Sequence, residues 1–195
     1  MNISTILIIA LILVAVYVWS LYNQLVTIKT RIKASIQEIG NQLKRQAELI
    51  PNLITSVKGY MTHEKEIFDE LTEARKQVME VASGTDAKKL VDAGNRLQQA
   101  LVPIRAVFES TPQLQAAAPT TKLMDELRDT SDKVMYSRRT LIDLTADYNI
   151  KIATFPSNLV AQMLGFKGEA GLTMPESGDE IKVSSEETKT PKVEL

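Results

Sequence analysis

His63 and Glu64 come nearest to a recognisable catalytic pattern in this chain. On a helix, His-Glu-x-x-His sets two imidazoles one turn apart for a zinc ion and supplies a glutamate as general base. The position that should hold the second histidine is Ile67, and His63 is the single histidine of the sequence. The same shortage excludes the paired Glu-x-x-His motifs of a di-iron bundle. Cysteine is absent, which removes thiolate ligands, disulfides and cysteine nucleophiles. No Gly-x-Ser-x-Gly elbow and no Walker loop occurs. Glu64, Glu66, Asp69, Glu70 and Glu73 could hold a hard cation only if they converged. At their spacing they read as the solvated face of a helix. The expectation is a protein without catalytic activity, cofactor or metal.

The remaining candidate pattern pairs a helix distortion with an amide. Pro51 stands beside Asn52, and Pro156 stands two residues from Asn158. A proline inside a helix deprives one carbonyl of its donor, and asparagine is suited to satisfying freed backbone groups. The functional alternative is that the two breaks meet, so that Pro51, Asn52, Pro156 and Asn158 line a groove for a partner segment. Arg138 and Arg139, near Asp132 and Asp143, read as surface ion pairs, and Lys44, Arg45 and Lys58 as solvated or paired.

These residues must be positioned by helices. The chain has 195 residues with 23 Lys and Arg against 24 Asp and Glu, a net charge of −1. That balance argues against a nucleic-acid binder, and nothing in the sequence points to a small-molecule substrate. Eight Gly and seven Pro are few for this length and favour long helices.

From Ile3 to Tyr22 the polar residues are only Ser4, Thr5 and Ser20. As a helix this run rises about 30 Å, the thickness of a bilayer's hydrocarbon core. Tyr17, Trp19 and Tyr22 suit a headgroup boundary at its end. A cleaved signal peptide would want a basic start and a small-x-small site, and neither is present. Residues 1–22 therefore read as a transmembrane anchor in a lipid bilayer. Lys29, Arg31 and Lys33 follow it and no basic residue precedes it. The positive-inside rule then puts the N-terminus outside and the rest of the chain in the cytoplasm.

Leu21, Leu25, Ile28, Ile32, Ile36, Ile39, Leu43, Ala47, Ile50 and Ile54 form one apolar stripe. Its spacing of 4, 3, 4 is an eleven-residue repeat, which gives a straight or slightly right-handed seam. The stripe begins inside the anchor, so one helix continues into the soluble domain. A kink is expected at Pro51, with the helix carried on through Val57, Phe68, Leu71 and Val78 to a stop at Ser83-Gly84. A second helix is expected from Asp86 to Ser110, with Leu97 on its apolar face and Gly94 filling one stripe position. A third should run from Pro119 to about Thr154, and a short fourth from Leu159 to Leu164. Residues 174–195 carry six acids, three lysines and two prolines, too little apolar surface to offset ordering. The reading is all-α: an anchor over 1–22, an antiparallel bundle of three long helices and a short one over 23–170, and a disordered tail over 171–195.

Several short motifs recur in the order of one family. Gln42-Leu43-Lys44-Arg45, Leu49-Ile50-Pro51-Asn52-Leu53, Val57-Lys58-Gly59-Tyr60 and His63-Glu64 resemble the LemA family. So do Thr72-Glu73-Ala74-Arg75, Tyr148-Asn149, Phe155-Pro156-Ser157-Asn158-Leu159 and Gly165-Phe166-Lys167. The resemblance covers roughly Tyr22 to Lys167. The family usually has a second basic residue where Gln46 stands. The resemblance implies a bacterial, single-pass, helical membrane protein with no established enzymatic activity, placed in the inner membrane or an organelle membrane. The anchor, the rigid helical stalk and the lack of reaction chemistry point to a membrane-tethered scaffold that engages a protein partner or its own copies. Relatives include a magnetosome-membrane protein, so the alternatives are a membrane-organising role in organelle biogenesis and an accessory role in envelope proteolysis or signalling.

Overall fold

In the computed structural model, residues 2–61 and 64–172 are described. The apolar stripe and the anchor lie on one helix, α1, from Ile3 to Val57. At 1.5 Å per residue it is about 80 Å long. Its first five turns are exposed on all sides, as an anchor in lipid requires. From Leu21 onward one face becomes a core. Leu21, Leu25, Ile32, Ile39, Leu43, Ala47 and Ile50 are buried, and Ile28, Ile36 and Ile54 pack against them half-buried.

Pro51 does not end α1. Its missing N–H would have bonded the carbonyl of Ala47, four residues earlier. That carbonyl instead accepts a hydrogen bond from Arg75 Nε at 2.9 Å. The expected role of Asn52 therefore falls to an arginine on another helix, and Asn52 itself is exposed.

The chain turns at a place the periodicity does not mark. Lys58–Tyr60 form a single 3₁₀ turn and Met61 is extended. The helix expected to continue to Ser83 is therefore two, α1 and α2 (Glu64–Val81). α2 runs antiparallel to α1, because Arg75 meets Ala47 and Ala82 meets Gly40. A β-carbon on Gly40 would collide with the Ala82 carbonyl oxygen, so glycine is what allows α2 to end against α1.

α3 (Ala87–Ser110) begins as expected at Asp86, whose carboxylate accepts from the amides of Lys88 and Lys89. It packs back along α2, with Leu90, Leu97, Leu101 and Ile104 buried. A one-turn helix, α4 (Pro112–Ala116), closes the far end. α5 (Ala118–Ala153) then returns along the whole soluble length of α1 and carries proline in its first turn. Its buried face includes Thr130, Ser137 and Thr145 beside Leu127, Leu141 and Tyr148. Thr130 and Thr145 return their hydroxyls to their own helix, bonding the Glu126 and Leu141 carbonyls. Small hydroxyl side chains thus let α5 approach α1 closely, those of Thr130 and Thr145 being satisfied on their own helix. α6 (Ser157–Met163) is short and follows a cis Phe155–Pro156 bond.

Among the described residues the all-α bundle stands, with four long helices where three were expected and α4 as an additional short one. They alternate in direction. The α2–α3 turn reaches only to the level of Gly40, so α1 between Leu21 and Gly40 is covered by α5, α6 and the chain that follows them. The expected tail boundary also moves: Leu172 packs against the core, and the tail over 173–195 lies outside the described residues.

Arg75→Met should destabilise the bundle by about 1–3 kcal/mol, the cost of a buried acceptor left without a donor. Adding Pro51→Ala to that variant should restore much of the loss, because residue 51 then donates to Ala47 along the helix. Denaturant unfolding of the two variants in detergent checks both, and equal stability of single and double variants would contradict the assignment.

Candidate functional site

α5 packs on α1 and α3 packs chiefly on α2, so α3 and α5 do not pack on each other along their length. Between them lies a groove of about 500 Å³. Ile39 and Leu43 of α1 form its floor. Leu90, Val91, Gly94, Asn95, Gln98, Arg105, Phe108 and Glu109 form one wall, and Met124, Leu127, Arg128, Ser131, Asp132, Val134, Met135 and Arg138 the other. From Leu90 to Glu109 the wall is about 28 Å long, close to five helical turns. Gly94 keeps it open at one point, since a β-carbon there would stand 2.9 Å from Leu43 Cδ2.

A polar node crosses the floor. Gln46 is fully buried and donates from Nε2 to Ser131 Oγ at 2.8 Å. Gln98 Nε2 donates to the same oxygen at 3.0 Å. The Ser131 hydroxyl donates to the Leu127 carbonyl at 2.8 Å, so its two acceptor sites and one proton are all used. Arg105 then donates to Gln98 Oε1 at 2.6 Å. Three arginines face two carboxylates along the rim, around an apolar centre. Such a surface is suited to the apolar face of a helix with charged flanks.

A second cluster lies where α1 leaves the apolar segment. Gly165 has φ +74°, which glycine adopts freely, and the chain turns there into a strap over α1 and α5. Phe166 lies against Tyr22 with ring centroids 5.9 Å apart. Tyr148 donates its hydroxyl proton to the Lys167 carbonyl at 3.1 Å. Asn149 clamps the Glu169 backbone from both sides, donating to its carbonyl at 2.9 Å and accepting from its amide at 3.0 Å. Lys29 pairs with the Glu169 carboxylate at 2.8 Å. The hydrogen bond it donates to that carboxylate holds the Lys29 ammonium above its ordinary 10.5. Burial raises the Tyr148 phenol above 10.0.

The four residues expected to form a groove are not brought together. Pro51 and Asn52 lie thirty residues along α1 from Leu21, about 45 Å away, whereas Pro156 and Asn158 sit at the corner packed near Leu21. The distortions are separate because α5 returns the whole length of the soluble domain before its own break. Asn158 Oδ1 is buried without a partner. Glu66, Asp69, Glu70 and Glu73 are exposed, and among the described residues no three acidic side chains converge; His63 lies outside the described residues. Arg138 donates to Asn95 at 3.1 Å across the groove, and neither it nor Arg139 pairs with Asp132 or Asp143. Arg45 pairs with Glu126. Gln98 and Ser131 were not singled out by the sequence, and Gln46 was noted only as a departure from the family pattern; the available signal was a polar residue beside Ala47, inside an apolar stripe.

An N-terminal helix able to cross a membrane, continuous with an alternating bundle, defines a membrane-anchored helical-bundle protein. The model of the LemA family matches residues 35–186, and the chain belongs to that family. It is 24% identical over 169 positions to "Magnetosome protein MamQ" of Magnetospirillum gryphiswaldense. It is 23% identical to "Magnetosome protein MamQ 2" of Paramagnetospirillum magneticum, and both alignments cover 75% of this chain. It is 23% identical over 142 positions to "Protein LemA" of Metamycoplasma hominis, covering 73% of this chain. The chain spans 62% of the length of the two magnetosome proteins and 64% of the LemA protein.

The strap should release as pH rises. Lys29 and Tyr148 both have raised values in the folded state, so their contribution is whole below pH 10.0 and is lost as pH climbs through the raised values. A spin label on a cysteine at the exposed Ala170 should gain mobility above pH 10.5. In Lys29→Met it should already be more mobile at neutral pH. Unchanged mobility across that range would show that these two groups do not hold the strap.

Proposed function

We propose that this protein is a membrane-tethered docking scaffold whose α3–α5 groove takes an amphipathic segment of a protein partner. The observation that carries this reading is the groove itself: about 28 Å long, apolar at its centre and mixed in charge at its rim. It is fixed to a helix that leads without interruption to the anchor. The reading is one of binding: the polar groups of the floor, Gln46, Gln98 and Ser131, bond one another, and the charges lie on the rim.

A photocrosslinking amino acid at Met135, which lines the groove and is 61% exposed, tests it. The expected product is an adduct with another protein through a segment of helical, one-sided apolar pattern. The same probe at Lys133, on the solvent side, should give little of it. Recovery of only lipid and copies of this chain from Met135 would overturn the docking role. That result would favour a second reading, supported by the relatives named as magnetosome proteins. Under it, the protein self-associates to organise an organelle membrane.

The orientation proposed from Lys29, Arg31 and Lys33 places the bundle in the cytoplasm. With no native cysteine, a single cysteine at Ser83 should react with a membrane-impermeant maleimide only after the inner membrane is permeabilised. Reaction with that membrane intact would reverse the orientation.

A further inference from the structure

The corner between α5 and α6 carries an apolar surface that the bundle does not use. From Ile152 to Phe166 there is no charged side chain, and Lys151 and Lys167 stand at the two ends of the run. Within it Phe155 is 79% exposed, Leu159 53%, Met163 86% and Leu164 45%. Four large apolar side chains so close together are more than scattered surface residues.

The position of this surface decides what medium it meets. α6 packs on α1, with Ala161 buried in the core and Val160 half-buried against it. Phe166 lies on Tyr22, the last residue of the apolar run that spans the bilayer. Trp19 and Tyr22 are exposed at the same level and mark the headgroup boundary by their chemistry. The corner therefore sits at the depth where α1 emerges.

The backbone there is prepared for a poorly hydrated layer. The amides of Thr154, Asn158, Leu164, Gly165 and Phe166 are bonded to carbonyls within the corner. Ser157 donates its hydroxyl to the Lys151 and Thr154 carbonyls. Backbone groups already paired in this way lose little when the segment is moved from water toward lipid. Lys151 and Lys167 can lay their stems along the apolar surface and reach lipid phosphates.

We infer that the α5–α6 corner is a second membrane contact: Phe155, Leu159, Met163 and Leu164 insert into the interfacial layer of the bilayer that α1 crosses. The bundle is then held at two points, a spanning helix and an interfacial wedge, which sets its tilt on the membrane. This inference rests on α1 spanning the bilayer.

The test uses the full chain in nanodiscs of phosphatidylcholine and phosphatidylglycerol, open to solvent on both sides. An environment-sensitive fluorophore is placed on M163C or L159C, with L13C in the anchor and G84C at the α2–α3 turn as references. Lipid carrying a quencher just below its headgroups should quench M163C and L159C several-fold more than G84C, and aqueous iodide should quench them less. Adding Phe155→Ser and Leu164→Ser, both exposed side chains, should leave thermal unfolding in detergent unchanged and weaken the lipid quenching of M163C. Iodide quenching of M163C without lipid quenching, while L13C is quenched by lipid, would overturn the inference. Protection from both quenchers would overturn it too, since protein then covers the corner. Failure of L13C itself to meet lipid would instead mean that α1 does not span.

Discussion

α1 has to face lipid over its first five turns and protein over the rest, and the other elements are placed by the second half of that demand. Its stripe from Leu21 to Ile54 needs cover along about 50 Å. One return helix, α5, supplies cover for the whole distance. The α2–α3 hairpin covers the far part only, since its turn reaches α1 at Gly40. Between Gly40 and the membrane the gap is filled by α6 and the strap, which fix Leu21, Leu25 and Tyr148 in a core at the bilayer's edge. The strap's clamp by Asn149 and Lys29 follows from that gap, as does the unspent apolar surface of the α5–α6 corner.

Continuity of α1 through Pro51 is a second consequence. A break there would uncouple the anchor from the far half of the bundle. The orphaned Ala47 carbonyl, fully buried, would otherwise favour such a break. Arg75 removes the conflict by donating to it from α2. The two motifs Pro51-Asn52 and Thr72-Glu73-Ala74-Arg75 are thereby one structural device. Proline keeps the carbonyl free, and the arginine uses it to fix the register of α2 on α1.

Much of the fold was legible because it is local. The anchor, the stripe, the Asp86 cap and the proline opening α5 are properties of neighbouring residues, and the residues marked for burial on α1 are buried or half-buried. The turn at Lys58–Met61 was not legible. Apolar residues continue at helical spacing from Val57 to Phe68 across it, and Gly59 is a weak break beside Pro51. The groove was hidden for a different reason. It is a gap left by which helix pairs with which, and pairing is decided by Gly40 against Ala82 or Gly94 against Leu43, contacts between residues far apart in sequence. The expected groove at Pro51, Asn52, Pro156 and Asn158 failed on the same ground, because likeness of two local distortions says nothing about their separation.

The height of the groove constrains what can occupy it. Leu43, in its floor, is 21 residues beyond Tyr22 on an unbroken helix, so the floor lies about 30 Å along α1 from the end of the apolar run. A partner anchored in the same bilayer reaches that height with about 20 helical residues beyond its own span, or about nine in extended form. A transmembrane segment alone cannot enter. Burial of neutral Gln46 in the floor adds a second constraint. A basic residue at this position would place a charge against Ser131 and Gln98 and need an acidic partner there. Here the node is neutral and satisfied within the chain. Under the proposed docking role, selection would fall to the charges on the rim, Arg105, Arg128 and Arg138 with Glu109 and Asp132. Discrimination would come from the flanks of a bound helix, with its apolar face supplying the contact area.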